Sequence, residues 1–346
     1  MRQFIMAVTL IMLVAGLTVV GFADEIVSTY VKQPTTEYWT KERMMNAKPY
    51  PMPSLSGAPQ SMESAPEEML GGLAGINKGG LPGTSILLSE DENAVIGLTG
   101  AVQPMDAYAY PPPQTTFYVY NPLYGTTSSV YPYMAIGKVF FTKSGVNYVC
   151  SGSSIGGRAV LTAGHCVSDG AGHWHTNWKF APSYRNGTTP YGLWSAFALI
   201  TFTAWHTQGN FCRDVGFAAV SDIGGLKLSQ KVGYLGFAWN QSRTQHFNVF
   251  GYPAASPYNG QRMVETQASY NRTDTSCSPG TTGIGWNQAG GSSGGPWILQ
   301  FFPGSAGAMN YANGVNSYIY TSQPKQIYSP YFDSNVKYMK DIAVSY

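Results

Sequence analysis

The stretch Gly290-Gly291-Ser292-Ser293-Gly294-Gly295-Pro296 decides how the rest of the chain is read. Glycines that dense belong where backbone must pass very close to something, and serines sit among them. A hydroxyl becomes a nucleophile only with a base beside it and amide donors facing the developing oxyanion; flanking glycines leave those N–H groups unobstructed. By itself the stretch reads equally well as a flexible Gly/Ser loop. The decision therefore falls to residues far upstream.

With 346 residues there is room for a large core and more than one structural unit. Charged residues make up 11%, against about 25% in a typical globular chain, so polarity rests on Ser, Thr, Asn, Gln and Tyr, a surface suited to an extracellular protein. The net charge of +2 and the lack of any Lys/Arg-rich run give no reason to expect nucleic acid as a partner. At the amino terminus, Arg2, the apolar run Phe4 to Val20 and the small-x-small triplet Gly21-Phe22-Ala23 read as a signal peptide over residues 1–23. A mature start near Asp24, secretion, and no membrane association after cleavage are expected.

Residues 24–113 are rich in Pro, Met, Ser and Gly, as in Pro49-Tyr50-Pro51-Met52-Pro53, and have little periodicity. Residues 24–115 hold five Lys/Arg and eleven Asp/Glu, whereas residues 116–346 hold fourteen and seven. An acidic, largely irregular leader ahead of a basic body reads as a pro-segment over 24–113 that docks by charge and lowers activity until it is removed. A disordered extension with no role in activity fits the same composition.

Beyond Pro113 the texture changes to short β-branched and aromatic runs broken by Gly, Pro and Asn, among them Met134–Thr142, Arg158–Thr162, Phe197–Thr203, Val215–Val220, Val232–Ala238 and His246–Gly251. Such spacing predicts an all-β sandwich or a pair of barrels. One helix is predicted at the end, capped by Asp333 or Ser334 and running through Val336, Met339 and Ile342. Four cysteines, Cys150, Cys166, Cys212 and Cys277, suggest two disulfides in a secreted chain, with three connectivities open. None lies in a CxxC, so no structural zinc site is expected.

Three short words settle the glycine stretch. Cys150-Ser151-Gly152-Ser153-Ser154-Ile155 followed by Val160-Leu161-Thr162-Ala163-Gly164-His165-Cys166, then Arg213-Asp214-Val215-Gly216-Phe217-Ala218, then Gly291-Ser292-Ser293-Gly294-Gly295-Pro296, resemble in order the histidine, aspartate and serine regions of the chymotrypsin/trypsin-like serine endopeptidases. The resemblance covers roughly residues 130–320. It implies two six-stranded antiparallel β-barrels in a domain over 114–346, a disulfide between Cys150 and Cys166, and no cofactor. In a secreted chain, a second bond between Cys212 and Cys277 is favoured over free thiols.

The same resemblance implies that Ser293 is the nucleophile, His165 its base and Asp214 the group that orients the imidazole. The N–H groups of Gly291 and Ser293 form the implied oxyanion hole, and Ser317 supports the aspartate and begins a substrate-pairing strand. Ser292 stands where trypsins carry the aspartate that pairs with a freed amino terminus. With Phe250-Gly251-Tyr252-Pro253, this departure is closer to the bacterial glutamyl-endopeptidase branch. Asn316 stands where that branch has its glutamate-reading histidine, and Asn287 falls at the implied base of the pocket. Together they predict a neutral polar pocket without strong preference for Lys or Arg, narrowed by Ile319.

Other polar residues receive plainer readings. His173 and His175 share a strand face but lack a third ligand, so a surface loop is expected and no metal; His206 and His246 read as ordinary polar histidines. Sequons at Asn186, Asn240 and Asn271 predict surface glycosylation in a eukaryotic secretory host. A monomeric, secreted peptidase acting on proteins or peptides is the reading. Its rival is a catalytically silent homologue acting as a binding protein, disfavoured because all three site residues are present; a tyrosine-rich matrix protein has only composition behind it.

Overall fold

Between Ile136 and Val220 six strands close into an antiparallel barrel. Ile136–Lys143 lies between Val146–Gly156 and Thr176–Pro182; Val146–Gly156 pairs onward to Ala159–Thr162, which pairs with Gly216–Val220. Trp194–Phe202 then bridges Gly216–Val220 back to Thr176–Pro182 and completes the ring. The strands of this barrel carry Phe140, Leu161, Phe180, Leu199 and Phe217, all fully buried, together with Trp178 and Trp194, at most 1% exposed, so apolar burial holds the closed sheet. The computed structural model describes residues 24–32, 37–60, 72–84, 92–93, 96, 110–119, 129–305 and 309–346. The expected signal peptide lies outside them.

The second half is a sheet in which His246–Gly251 lies between Val264–Asp274 and Pro296–Leu299. From Val264–Asp274 the pairing continues through Thr281–Gly285 and Gln323–Ser329 to Tyr318–Tyr320. From Pro296–Leu299 it continues through Tyr311–Val315 to Gly236–Trp239, the last pairing parallel. The all-β expectation is met by one closed six-stranded barrel and this second sheet. Val232, read as the start of a strand, instead ends the helix Leu228–Val232. Strands Thr281–Gly285 and Gln323–Ser329 escape the sequence reading because their β character comes from their neighbours, not from their own composition.

The predicted closing helix is Ser334–Ser345; the Asp333 carboxylate accepts from the N–H groups of Asn335 and Val336, and Val336, Met339 and Ala343 are buried. Among the described residues no helix is long and apolar enough to cross a membrane. Both disulfides form: Cys150–Cys166 within the first barrel, and Cys212–Cys277 between the two halves.

Leader residues are built into this frame. Ile26–Tyr30 adds an antiparallel strand to Trp194–Phe202 and Gly75–Asn77 pairs with Gly236–Trp239; just past the leader, Thr115–Tyr118 pairs with Val264–Asp274. Trp39, 1% exposed, donates its indole N–H to the Asn177 carbonyl at 2.6 Å. Low periodicity hid these pieces because each is ordered by the body it touches. Asp24 contributes a carboxylate to Arg213, which also meets Asp333.

Candidate active site

His165 sits on the short 3-10 turn Gly164–Cys166 that follows strand Ala159–Thr162, pinned by the disulfide at its neighbour Cys166. Asp214 follows the turn Phe211–Arg213 and immediately precedes strand Gly216–Val220. Strand pairing between Ala159–Thr162 and Gly216–Val220 therefore brings the two together. The Asp214 carboxylate accepts the His165 backbone N–H at 2.7 Å, contacts His165 Nδ1 at 2.8 Å, and accepts the Ser317 hydroxyl at 2.5 Å. A carboxylate only accepts, so Nδ1 carries the proton and Nε2 is left with its lone pair.

A second histidine lies beneath. His175, expected on a surface loop, is buried: its ring stacks on Phe141 with centroids 4.3 Å apart, and its Nε2 meets the His165 carbonyl at 3.0 Å. Donation to a carbonyl fixes Nε2 as N–H, and burial holds the imidazole neutral, pushing its pKa down to about 3. His173 is exposed and pairs with Asp169 instead, so the two histidines do not converge. His206 meets Ser168 and stacks on Trp174, while His246 meets Ser269. Cys150, His165 and Cys166 bring potential ligand atoms within 4.8 Å of one another, but both sulfurs are in the disulfide.

On the opposite wall the glycine stretch forms the turn before strand Pro296–Leu299. Gly294, at φ +75°, has no room for a side chain: a Cβ there would stand 2.1 Å from Thr162 Oγ1. The turn is tied to the first barrel by Ser151, whose N–H donates to the Ser293 carbonyl and whose hydroxyl donates to the Gly291 carbonyl. Ser292, expected to exclude a trypsin-like salt bridge, donates its hydroxyl to the Ala289 carbonyl within the same turn.

Asn316 departs from its expected place in the pocket wall. It is fully buried; its amide nitrogen donates to the Ser292 and Phe250 carbonyls and its oxygen accepts the Trp297 indole N–H. With all three bonds directed inward, it positions the serine turn. Asn287 is half-buried, and its side-chain oxygen accepts from Lys325 Nζ at 2.6 Å. Lys325 was not singled out in the sequence, where it is one lysine in a polar strand. The Asn240 sequon is corrected: this side chain is 3% exposed and donates to the Leu73 carbonyl and Ser334, leaving no room for a glycan. Asn186 is exposed, while Asn271 is half-buried against Gln326.

Ser293 and Asp214 are fully buried and His165 is 1% exposed. Among the described residues His165 Nε2 has no hydrogen-bond partner, and the Ser293 hydroxyl points instead at Met52 Sδ, 3.7 Å away. Leader residues Tyr50 to Ser54 line a cavity of about 430 Å³ together with His165, Tyr148 and Trp205.

No protein-family model matches the chain. A glutamyl endopeptidase of Bacillus licheniformis is 29% identical over 143 residues, 41% of this chain and 41% of that protein, so the match spans well under half of that relative. Among solved structures, the protease Anisep from Arthrobacter nicotinovorans is 40% identical, with 62% of this chain and 97% of that one covered and a TM-score of 0.57. The thermostable serine protease AL20 from an extremophilic microorganism is 37% identical, covers 62% and 98%, and scores 0.56. A Glu endopeptidase structure at 19% identity and a TM-score of 0.53, covering 67% and 97%, shares the fold.

Proposed function

The chain belongs to the chymotrypsin-like serine proteases, and from that premise we propose that it is a secreted endopeptidase working through Ser293, His165 and Asp214. The observation that carries this reading is the buried chain Ser317–Asp214–His165, which leaves Nε2 as a base on the cleft shared with Ser293. In the reaction, Ser293 Oγ attacks the scissile carbonyl and gives its proton to His165 Nε2. The imidazolium then returns that proton to the leaving amine, while Asp214 stabilises the charged ring. The Gly291 and Ser293 N–H groups receive the oxyanion, each worth about 10²–10³ in rate in comparable sites. Water repeats the sequence on the acyl-enzyme.

Substrates are proteins or peptides, and the enzyme acts as an extracellular monomer. Lys325 beside Asn287 opposes a cationic side chain at the pocket base, so cleavage after Lys or Arg is disfavoured. The leader is a pro-segment whose removal opens the cleft. A fluorophosphonate probe tests the reading: once the leader is trimmed, the protein should be labelled and Ser293→Ala should not. Absence of Ser293-dependent labelling would return the chain to the class of binding-only homologues.

A further inference from the structure

We propose that leader residues Tyr50–Leu55 are a peptide ligand of the cleft, seated so that it holds Ser293 apart from His165 and offers it no bond to cut. This deepens the peptidase reading and rests on Ser293 being the nucleophile. The segment enters from the first barrel, where Lys48–Pro49 pairs in parallel with Tyr148–Val149 and the Tyr50 N–H donates to the Val149 carbonyl. It leaves along the second sheet, where Ser54–Leu55 pairs in parallel with Ile319–Tyr320. There the N–H groups of Ile319 and Thr321 donate to the Pro53 and Leu55 carbonyls, both at 3.0 Å. Strand addition supplies the backbone adhesion, and alternate side chains fill the two walls.

Those side chains account for the closed state of the site. The Tyr50 ring lies over the His165 imidazole, centroids 5.8 Å apart and 15° from parallel, while its hydroxyl accepts from Lys143 Nζ. Met52 packs against the buried apolar cluster of the second sheet and draws the Ser293 hydroxyl to its sulfur. Leu55 rests on the cluster of Tyr318, Tyr320 and Tyr328. A thioether has no carbonyl carbon, so the nucleophile meets no acyl group that it could attack. The peptide bonds around Met52 are Tyr50–Pro51, Pro51–Met52 and Met52–Pro53, each with a proline on one side, and proline's ring and missing N–H restrict how such a bond can seat. The partner this groove fits is therefore a short peptide that alternates proline with large apolar side chains, and the leader carries it in cis.

The test uses the full chain and the rate of fluorophosphonate labelling at Ser293. Met52→Ala and, separately, Tyr50→Ala should each speed labelling at least 10-fold with melting retained. A synthetic peptide spanning residues 48–57, added to the Met52→Ala chain, should slow labelling again and be recovered uncut by mass spectrometry. If both variants label no faster than the unaltered chain while leader removal does accelerate labelling, the plug assignment is overturned and the nucleophile stands. Rapid cleavage of the peptide within residues 50–53 overturns it equally. If Ser293 labels in no form, trimmed protein included, the nucleophile assignment falls and this proposal with it.

Discussion

The two walls of the cleft are finished to different degrees. On the histidine wall the contacts behind the ring are in place: Asp214 accepts three donors and His175 braces the His165 backbone from beneath, leaving Nε2 without a partner among the described residues. On the serine wall the turn is equally well tied by Ser151 and Asn316, yet the hydroxyl it presents is turned to Met52 rather than to Nε2. Rigidity and connection are thus separate properties of this site. Backbone ties and buried amides hold each wall, while Tyr50 and Met52, the residues proposed to plug the cleft, lie against His165 and Ser293.

The contrast can be broken at several points. Asp214→Asn should have the largest effect, about 10⁴ in kcat of the trimmed enzyme, because the wrong tautomer is presented to Ser293; a loss under 10-fold would mean the histidine wall is not the working base. Asn316→Leu should lower kcat about 10- to 100-fold with little change in KM. It removes the bonds that Asn316 donates to the Ser292 and Phe250 carbonyls and leaves the Trp297 N–H without its acceptor, at about 1–3 kcal/mol of stability. An unchanged kcat with the same loss of stability would make Asn316 a core residue unrelated to the serine turn.

The histidine wall should also carry a pH signature. His175 titrates near its ordinary value when unfolded and near 3 when folded, so below about pH 6.5 the unfolded chain takes up a proton that the folded one refuses. Its contribution is therefore complete above about pH 6.5 and is lost as pH falls toward 3, by about 1.4 kcal/mol per unit. Urea unfolding midpoints measured from pH 7 to pH 4 should show this slope, and His175→Gln should flatten it; an unchanged slope in the variant would assign the acid sensitivity elsewhere. The smallest effect is expected from Ser317→Ala, a several-fold loss of kcat from one missing hydrogen bond to Asp214, read from steady-state rates.

Much of the site was legible because its chemistry is written in short local words. Thr162 to Cys166 and Gly291 to Pro296 carry both the groups proposed to react and the tight backbone that presents them, and Asp333 ahead of Val336 and Met339 announces the closing helix. Asn316 and Asn240 were misplaced for one reason: an amide reads as polar in sequence, and only packing tells whether its partners are water, substrate or buried carbonyls. Lys325 was passed over because its strand is made by its neighbours.

The sequence by itself determined the all-β class, and it supplied the proposed trio and the acidic balance of residues 24–115, since these depend on residue types and their order. Only the tertiary structure decided that the leader crosses the cleft, and where. Its adhesion uses N–H and C=O groups that every non-proline residue carries, so a chain of Pro, Met and Tyr gives no sign of it. Composition predicted docking by charge, and Asp24 does meet Arg213. The residues at the nucleophile, however, are held by strand pairing and ring contact. These acquire meaning only against the surface they cover.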